Sequence, residues 1–283
     1  MKPIKLENRI TFLLLNISLF LLNFKHISLL SIICGTVGVI PIIKLFDILN
    51  IYKYKITKII LLILSILSLT YYLNKISYFI GDNILREYSI IPISLTLLIS
   101  IFILGNKGYH TIIKVVTIAS YFILFNFIIG LLILIPYIDI GNINISILKD
   151  NNLLINTSIY ILSIIYAYFL IFKISNTKIN NTDLLISNSF NLITLVLINT
   201  ILSILTKFIK YPYVTIFKKV NLLGFIERIE IIFSMNYLFI FYFLILFIYY
   251  QIRFILGKKF HIKRLNITLA IITFLIFLGS LIF

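Results

Sequence analysis

Nine apolar runs follow one another along the chain, near positions 10–24, 27–49, 57–80, 88–105, 111–137, 153–174, 185–206, 230–256 and 265–283. Crossing a hydrocarbon core takes roughly 20 helical residues at about 1.5 Å each. Lipid offers backbone N–H and C=O groups no partners, so such runs must satisfy their own hydrogen bonds as helices. The alternating polarity of a membrane barrel strand is absent. With 61% hydrophobic residues and a mean hydropathy of +1.13, the 283-residue chain has too little polar surface to cover a water-facing core. The expected fold is an all-α membrane protein of about nine transmembrane helices. Residues 1–283 form one polytopic domain whose first partner is the lipid bilayer.

The first run is short, being interrupted by Asn23, Lys25 and His26, and the count falls to eight if it is only re-entrant. Lys2, Lys5 and Arg9 look like the start of a signal peptide, but no small-residue cleavage site follows, so the run is expected to stay in the protein. A formal charge of +16 raises the question of nucleic acid, yet the basic residues lie scattered in short loops between the runs and form no single stripe. Topology accounts for them. With a cytoplasmic N-terminus, most of the 25 Lys and Arg residues fall inside, as the positive-inside rule asks. The exception is the segment 207–229, which carries Lys207, Lys210, Lys218, Lys219 and Arg228 on the outer side.

Soluble chemistry has little to work with. Cys34 is the only cysteine, and His26, His110 and His261 sit at separate helix ends. No glycine-rich phosphate loop, metal-ligand spacing or nucleophile set is present, so no enzyme, cofactor or metal centre is expected. Asp47 lies in apolar sequence with Lys44 three residues before it. By depth it is a candidate proton or ion ligand; its place about a turn from the cytoplasmic boundary favours a residue that pairs with Lys44 or reaches water. Glu227, Arg228 and Glu230 follow Gly224 where the outer segment enters the eighth run. There the two acids share a face near a helix N-terminus, where negative charge is favoured. They serve as a cap, or as a gate or subunit contact.

The stretch Tyr211-Pro212, then Gly224-Phe225-Ile226-Glu227-Arg228-Ile229-Glu230 and an aromatic-rich apolar helix, resembles the spore germination permease family. These are the multispanning B subunits of nutrient-germinant receptors, within the amino acid, polyamine and organocation transporter superfamily. The stretches 73–80, 86–92 and 108–114 are also similar, and the order and spacing of runs three to nine agree. The resemblance implies a shortened inverted-repeat bundle of five plus five helices, with a ligand site at the midplane where the first and sixth helices are broken. It makes 207–229 an extracytoplasmic capping segment and Tyr211, Pro212, Gly224, Glu227, Arg228 and Glu230 a family motif for gating or subunit contact.

At the midplane the resemblance implies, the side chains placed to touch a ligand are Asn16 and Ser18 in the first run, Asn156, Ser158 and Tyr160 in the sixth, and Ser234 and Asn236 in the eighth, although Ser and Asn inside membrane helices more often bond helix to helix or back to a carbonyl. The residues themselves qualify the breaks. Neither the first nor the sixth run contains a Gly or Pro at which a helix would unwind. The function implied is a membrane subunit of a germinant receptor, in the spore inner membrane or cell membrane, sensing or passing a small nutrient such as an amino acid alongside other receptor subunits. A stand-alone amino-acid-type secondary transporter and a degenerate scaffold member remain open beside it.

Overall fold

The structure is a computed structural model that describes residues 3–24, 27–49, 54–85, 89–139, 152–175, 179–202, 205–206, 208–218 and 230–256. Among these, all regular structure is helical: α1 (Pro3–Asn23), α2 (Leu29–Ile48), α3 (Lys55–Asn83), α4 (Ile90–Gly105), α5 (Tyr109–Leu134) with a 3-10 turn at Ile135–Tyr137, α6 (Leu153–Ser175), α7 (Asn181–Leu202), α8 (Pro212–Phe217) and α9 (Glu230–Leu256). The first eight apolar runs each coincide with one long helix. The ninth, 265–283, lies outside the described residues. α8 is an additional short helix inside the 207–229 segment.

Six of these helices are long and apolar enough to cross a membrane: α2, α3, α5 with its terminal turn, α6, α7 and α9. α4, with 16 residues, is about 24 Å long. α1 begins seven residues before its apolar run, because Pro3 suits a first helical turn and the polar stretch around Glu7 to Arg9 continues the helix. The chain is a multi-pass helical membrane protein.

Several boundaries have local causes. Ser28 and Ser31 cap each other at the start of α2, the Ser28 side chain accepting from Ser31 N at 3.1 Å and the Ser31 side chain from Ser28 N at 2.8 Å. Gly108, with φ +91°, makes the turn from α4 into α5, where a side chain would be strained. At the other end of α5, Pro136 sits in the closing 3-10 turn.

Polarity is arranged inside out. Outward faces carry Ile56, Ile60, Ile63 and Leu67 on α3, and Ile118, Phe122 and Phe125 on α5, whereas Asn16, Ser65, Ser77, Ser187, Asn191 and Gln251 are buried. A water-soluble bundle places these classes the other way round. Two helices sit centrally. α9 packs against α1, α3, α4, α5, α6 and α8, and 67% of its span is buried against 28% for peripheral α2. α1 packs against α5, α6, α7 and α9.

Candidate functional site

The most polar part of the interior is the place where α1, α6 and α7 meet. On α7, Ser187, Asn188, Asn191 and Thr194 are all buried. Spacings of three and four place them along one side of the helix. Asn16 of α1 donates through Nδ2 to Ser187 Oγ at 2.7 Å and to Asn188 Oδ1 at 3.2 Å. From α6, the Tyr160 hydroxyl donates to the same Asn188 Oδ1 at 2.7 Å and accepts from Asn191 Nδ2 at 3.2 Å. Asn16, Ser187, Asn191 and Tyr160 are 0% exposed and Asn188 is 3% exposed, so none of these groups falls back on bulk water.

The fourth wall is α2. A Cβ on Gly35 would stand 2.6 Å from Tyr160 Cδ1, so the tyrosine ring reaches its place only because residue 35 has no side chain. Three polar atoms of the junction have no partner among the described residues: Asn16 Oδ1, Asn188 Nδ2 and Asn191 Oδ1. A buried donor or acceptor left unmade costs about 1–3 kcal/mol. The junction therefore retains unused capacity to recognise hydrogen-bonding groups.

α1 is tied at both ends as well. Near its start, Arg9 pairs with Asp183 of α7 at 3.2 Å, and Asn8 Oδ1 accepts from the Tyr109 hydroxyl of α5 at 3.0 Å. Near its end, Asn23 Nδ2 donates to Ser163 Oγ of α6 at 3.1 Å, and Lys75 of α3 donates to the Leu22 carbonyl at 3.0 Å. The lysine meets the negative end of the helix dipole there. Asp47, expected beside Lys44 or water, accepts from the Tyr168 hydroxyl and so links α2 to α6.

Of the seven residues placed near the midplane by sequence, Asn16 and Tyr160 meet at this junction. Asn236 belongs to a separate α5–α9 contact, its Oδ1 accepting from Asn126 Nδ2 at 3.4 Å. Ser18 and Ser234 are buried but donate to carbonyls of their own helices, Leu15 at 2.6 Å and Glu230 at 2.6 Å. Ser158 is exposed and donates to the Ile155 carbonyl at 2.7 Å, which takes it away from the junction. Asn156 is half-buried in the first turn of α6, one turn before Tyr160. Sequence reading missed Ser187, Asn188, Asn191 and Gly35. The polar spacing 187, 188, 191, 194 within an apolar helix was the available signal.

The implied breaks in the first and sixth helices are not present: α1 and α6 run unbroken. The absence of Gly and Pro accounts for this. Side chains, rather than unwound backbone, supply the polar groups.

Of the family-like motif, Gly224, Glu227 and Arg228 lie outside the described residues. Glu230 is the first residue of α9, an acid in its first turn. Tyr211 and Pro212 lead into α8, whose Tyr213, Val214, Ile216 and Phe217 are buried between α7 and α9. Phe217 stacks on Phe233 with centroids 3.6 Å apart, Tyr213 stacks on Phe127 at 5.5 Å, and Tyr211 meets Phe79 edge-on at 5.0 Å. Burial pushes the Tyr213 phenol pKa up, so it stays protonated. Outside the packed rings, Lys210 pairs with Asp82 at 2.7 Å and Lys218 reaches Asn83 Oδ1 at 3.4 Å, fastening the segment to the end of α3.

An apolar seam lined by Leu14, Ile17, Ile123, Leu124, Phe127 and Ile240 separates α1 from α5 and α9 and is too narrow to hold a water. Compared with family models, curated proteins and solved structures, the chain matches none.

Proposed function

We propose that the chain is a membrane subunit of a nutrient-germinant receptor of the spore germination permease kind, which recognises a small polar nutrient within the bilayer. The observation that carries the reading is the α1–α6–α7 junction, where amides and hydroxyls converge inside an apolar bundle with hydrogen-bonding capacity unused. The helix packing supports the inverted-repeat architecture. If α8 is set aside as an insertion, α9 becomes the counterpart of α3 in a second, shortened set of helices. α1 then packs on its counterpart α6, α2 on α7 and α3 on α9, while the α1–α7 contact has its equivalent in α2–α6. The burial of 211–217 over the bundle supports a capping role for that segment.

The test is cellular. Spores lacking the gene are scored for germination on amino acids, sugars and nucleosides, and the tagged protein is fractionated and recovered in mild detergent. Loss of one response, with co-recovery of partner subunits from the spore inner membrane, is the expected result. Normal responses to every nutrient and absence from spores would sink the reading. The same paired packing also favours a stand-alone secondary transporter, which predicts solute uptake by the purified protein in liposomes. Unbroken α1 and α6 weigh against that alternative, since they expose no backbone to a solute.

A further inference from the structure

We infer that the α1–α6–α7 junction selects an uncharged ligand bearing a hydroxyl or primary amide, and excludes free carboxylates and ammonium groups; this rests on reading the junction as a recognition site. The three unpartnered atoms are two acceptors, Asn16 Oδ1 and Asn191 Oδ1, and one donor, Asn188 Nδ2, on side chains no more than 3% exposed. A hydroxyl or a primary amide offers donor and acceptor together. A carboxylate offers acceptors only and an ammonium donors only, so each leaves part of the set unmade.

Charge balance points the same way. Among the described residues, the fully buried polar side chains are Asn, Gln, Ser and Thr, joined by Tyr hydroxyls, with no Lys, Arg, Asp or Glu; one carboxylate oxygen, Glu7 Oε2, is buried nine residues before Asn16 on α1. An ion brought to this depth meets no counter-charge, and an unpaired buried charge is strongly disfavoured. The charges of α1 and α7 closest in sequence to the junction, Arg9 and Asp183, are already joined to each other at 3.2 Å. Along their helices Arg9 lies seven residues, about 10 Å, from Asn16, and Asp183 four residues, about 6 Å, from Ser187, where its charge is taken up by Arg9.

The protein's own side chain illustrates the chemistry. The neutral Tyr160 hydroxyl rests between two amides, donating to Asn188 and accepting from Asn191.

The full chain is placed in lipid nanodiscs and tested by saturation-transfer NMR with myo-inositol, propionamide, propionate and ethylamine. Propionamide and propionate share shape and size and differ in charge. The expected result is transfer to propionamide or myo-inositol at least tenfold above that to propionate and ethylamine, lost in Asn191→Leu. Asn191→Asp is the second variant. It keeps the size of the side chain and is expected to turn the preference toward ethylamine, which a merely misfolded protein would not do. Propionate or ethylamine binding as well as propionamide in an Asn191-dependent way overturns the selectivity and leaves the recognition site standing. No binding of any of the four probes overturns both.

Discussion

Two buried junctions hold this bundle together by different means. At α1–α6–α7, amides and hydroxyls are joined by directional bonds, and three polar atoms remain unused. At α8, rings from α3, α5 and α9 close on Tyr211, Tyr213 and Phe217, and the Tyr213 hydroxyl carried inward is without a partner among the described residues. Gly130 admits Phe233 so closely that a Cβ there would lie 2.3 Å from its Cε1 and 3.0 Å from Phe217 Cζ. Ring packing is short-range and tolerates neither gaps nor additions. A hydrogen-bonded set can exchange one partner for another of like chemistry. The difference teaches that the aromatic junction suits a fixed support, and the polar junction suits a place where partners change.

Substitutions break or sharpen that contrast in a graded order. Gly130→Leu is expected to be the most damaging, at about 3 kcal/mol, the upper part of the usual range for overpacking. It would be seen as a lowered thermal midpoint by circular dichroism in detergent, and full tolerance would show that the ring junction yields more than its spacing implies. Asn188→Leu comes next, at about 2 kcal/mol, because it strips an acceptor from both Asn16 and Tyr160 and leaves buried donors unpaired. If it proves neutral or stabilising, the polar junction carries no stability and the contrast becomes one of function alone.

Tyr160→Phe keeps the ring on Gly35 and deletes the hydroxyl, for about 0.6–1.5 kcal/mol, given how weakly side-chain hydrogen bonds act inside membrane proteins. A loss as large as that of Asn188→Leu would place the weight of the junction on the phenol. Asp82→Asn should be the mildest. Its pair with Lys210 is well exposed on both sides, at 45% and 62%, and exposed pairs contribute about 0–1 kcal/mol. A large effect there would mean that the 208–218 segment is fastened at its rim and not by its rings.

The helices were legible because hydropathy accumulates locally along a chain. The eight described runs match eight helices, and 230–256 coincides with α9. Where α1 begins was not legible, since the charged residues around Glu7 to Arg9 read as a loop until the helix continues through them. The site was half legible. Depth grouped Asn16 and Tyr160, which are buried, with Ser158, which is exposed, because depth says nothing about which side of a helix is turned inward. Asn188 and Asn191 sit on a helix whose role only its neighbours define. Gly35 was visible as a glycine, yet its purpose depends on a ring 125 positions later in the chain.

The enclosure of α1 has a consequence for how the protein is made. α1 is translated before every helix it packs against, yet it is among the most thoroughly buried and is absent from the six that are long and apolar enough to span on their own account. Its polar groups find their companions late: Ser187 lies 171 residues downstream of Asn16. At about 5–20 residues per second, that is a wait of roughly 10–30 s. Until then Asn16 faces the insertion machinery, lipid headgroups or water in place of its final neighbours, as Asn8 does until Tyr109 is made. Biogenesis therefore has a vulnerable interval between α1 and α7, and changes that lower the polarity of α1 should make it easier to pass while weakening the finished junction.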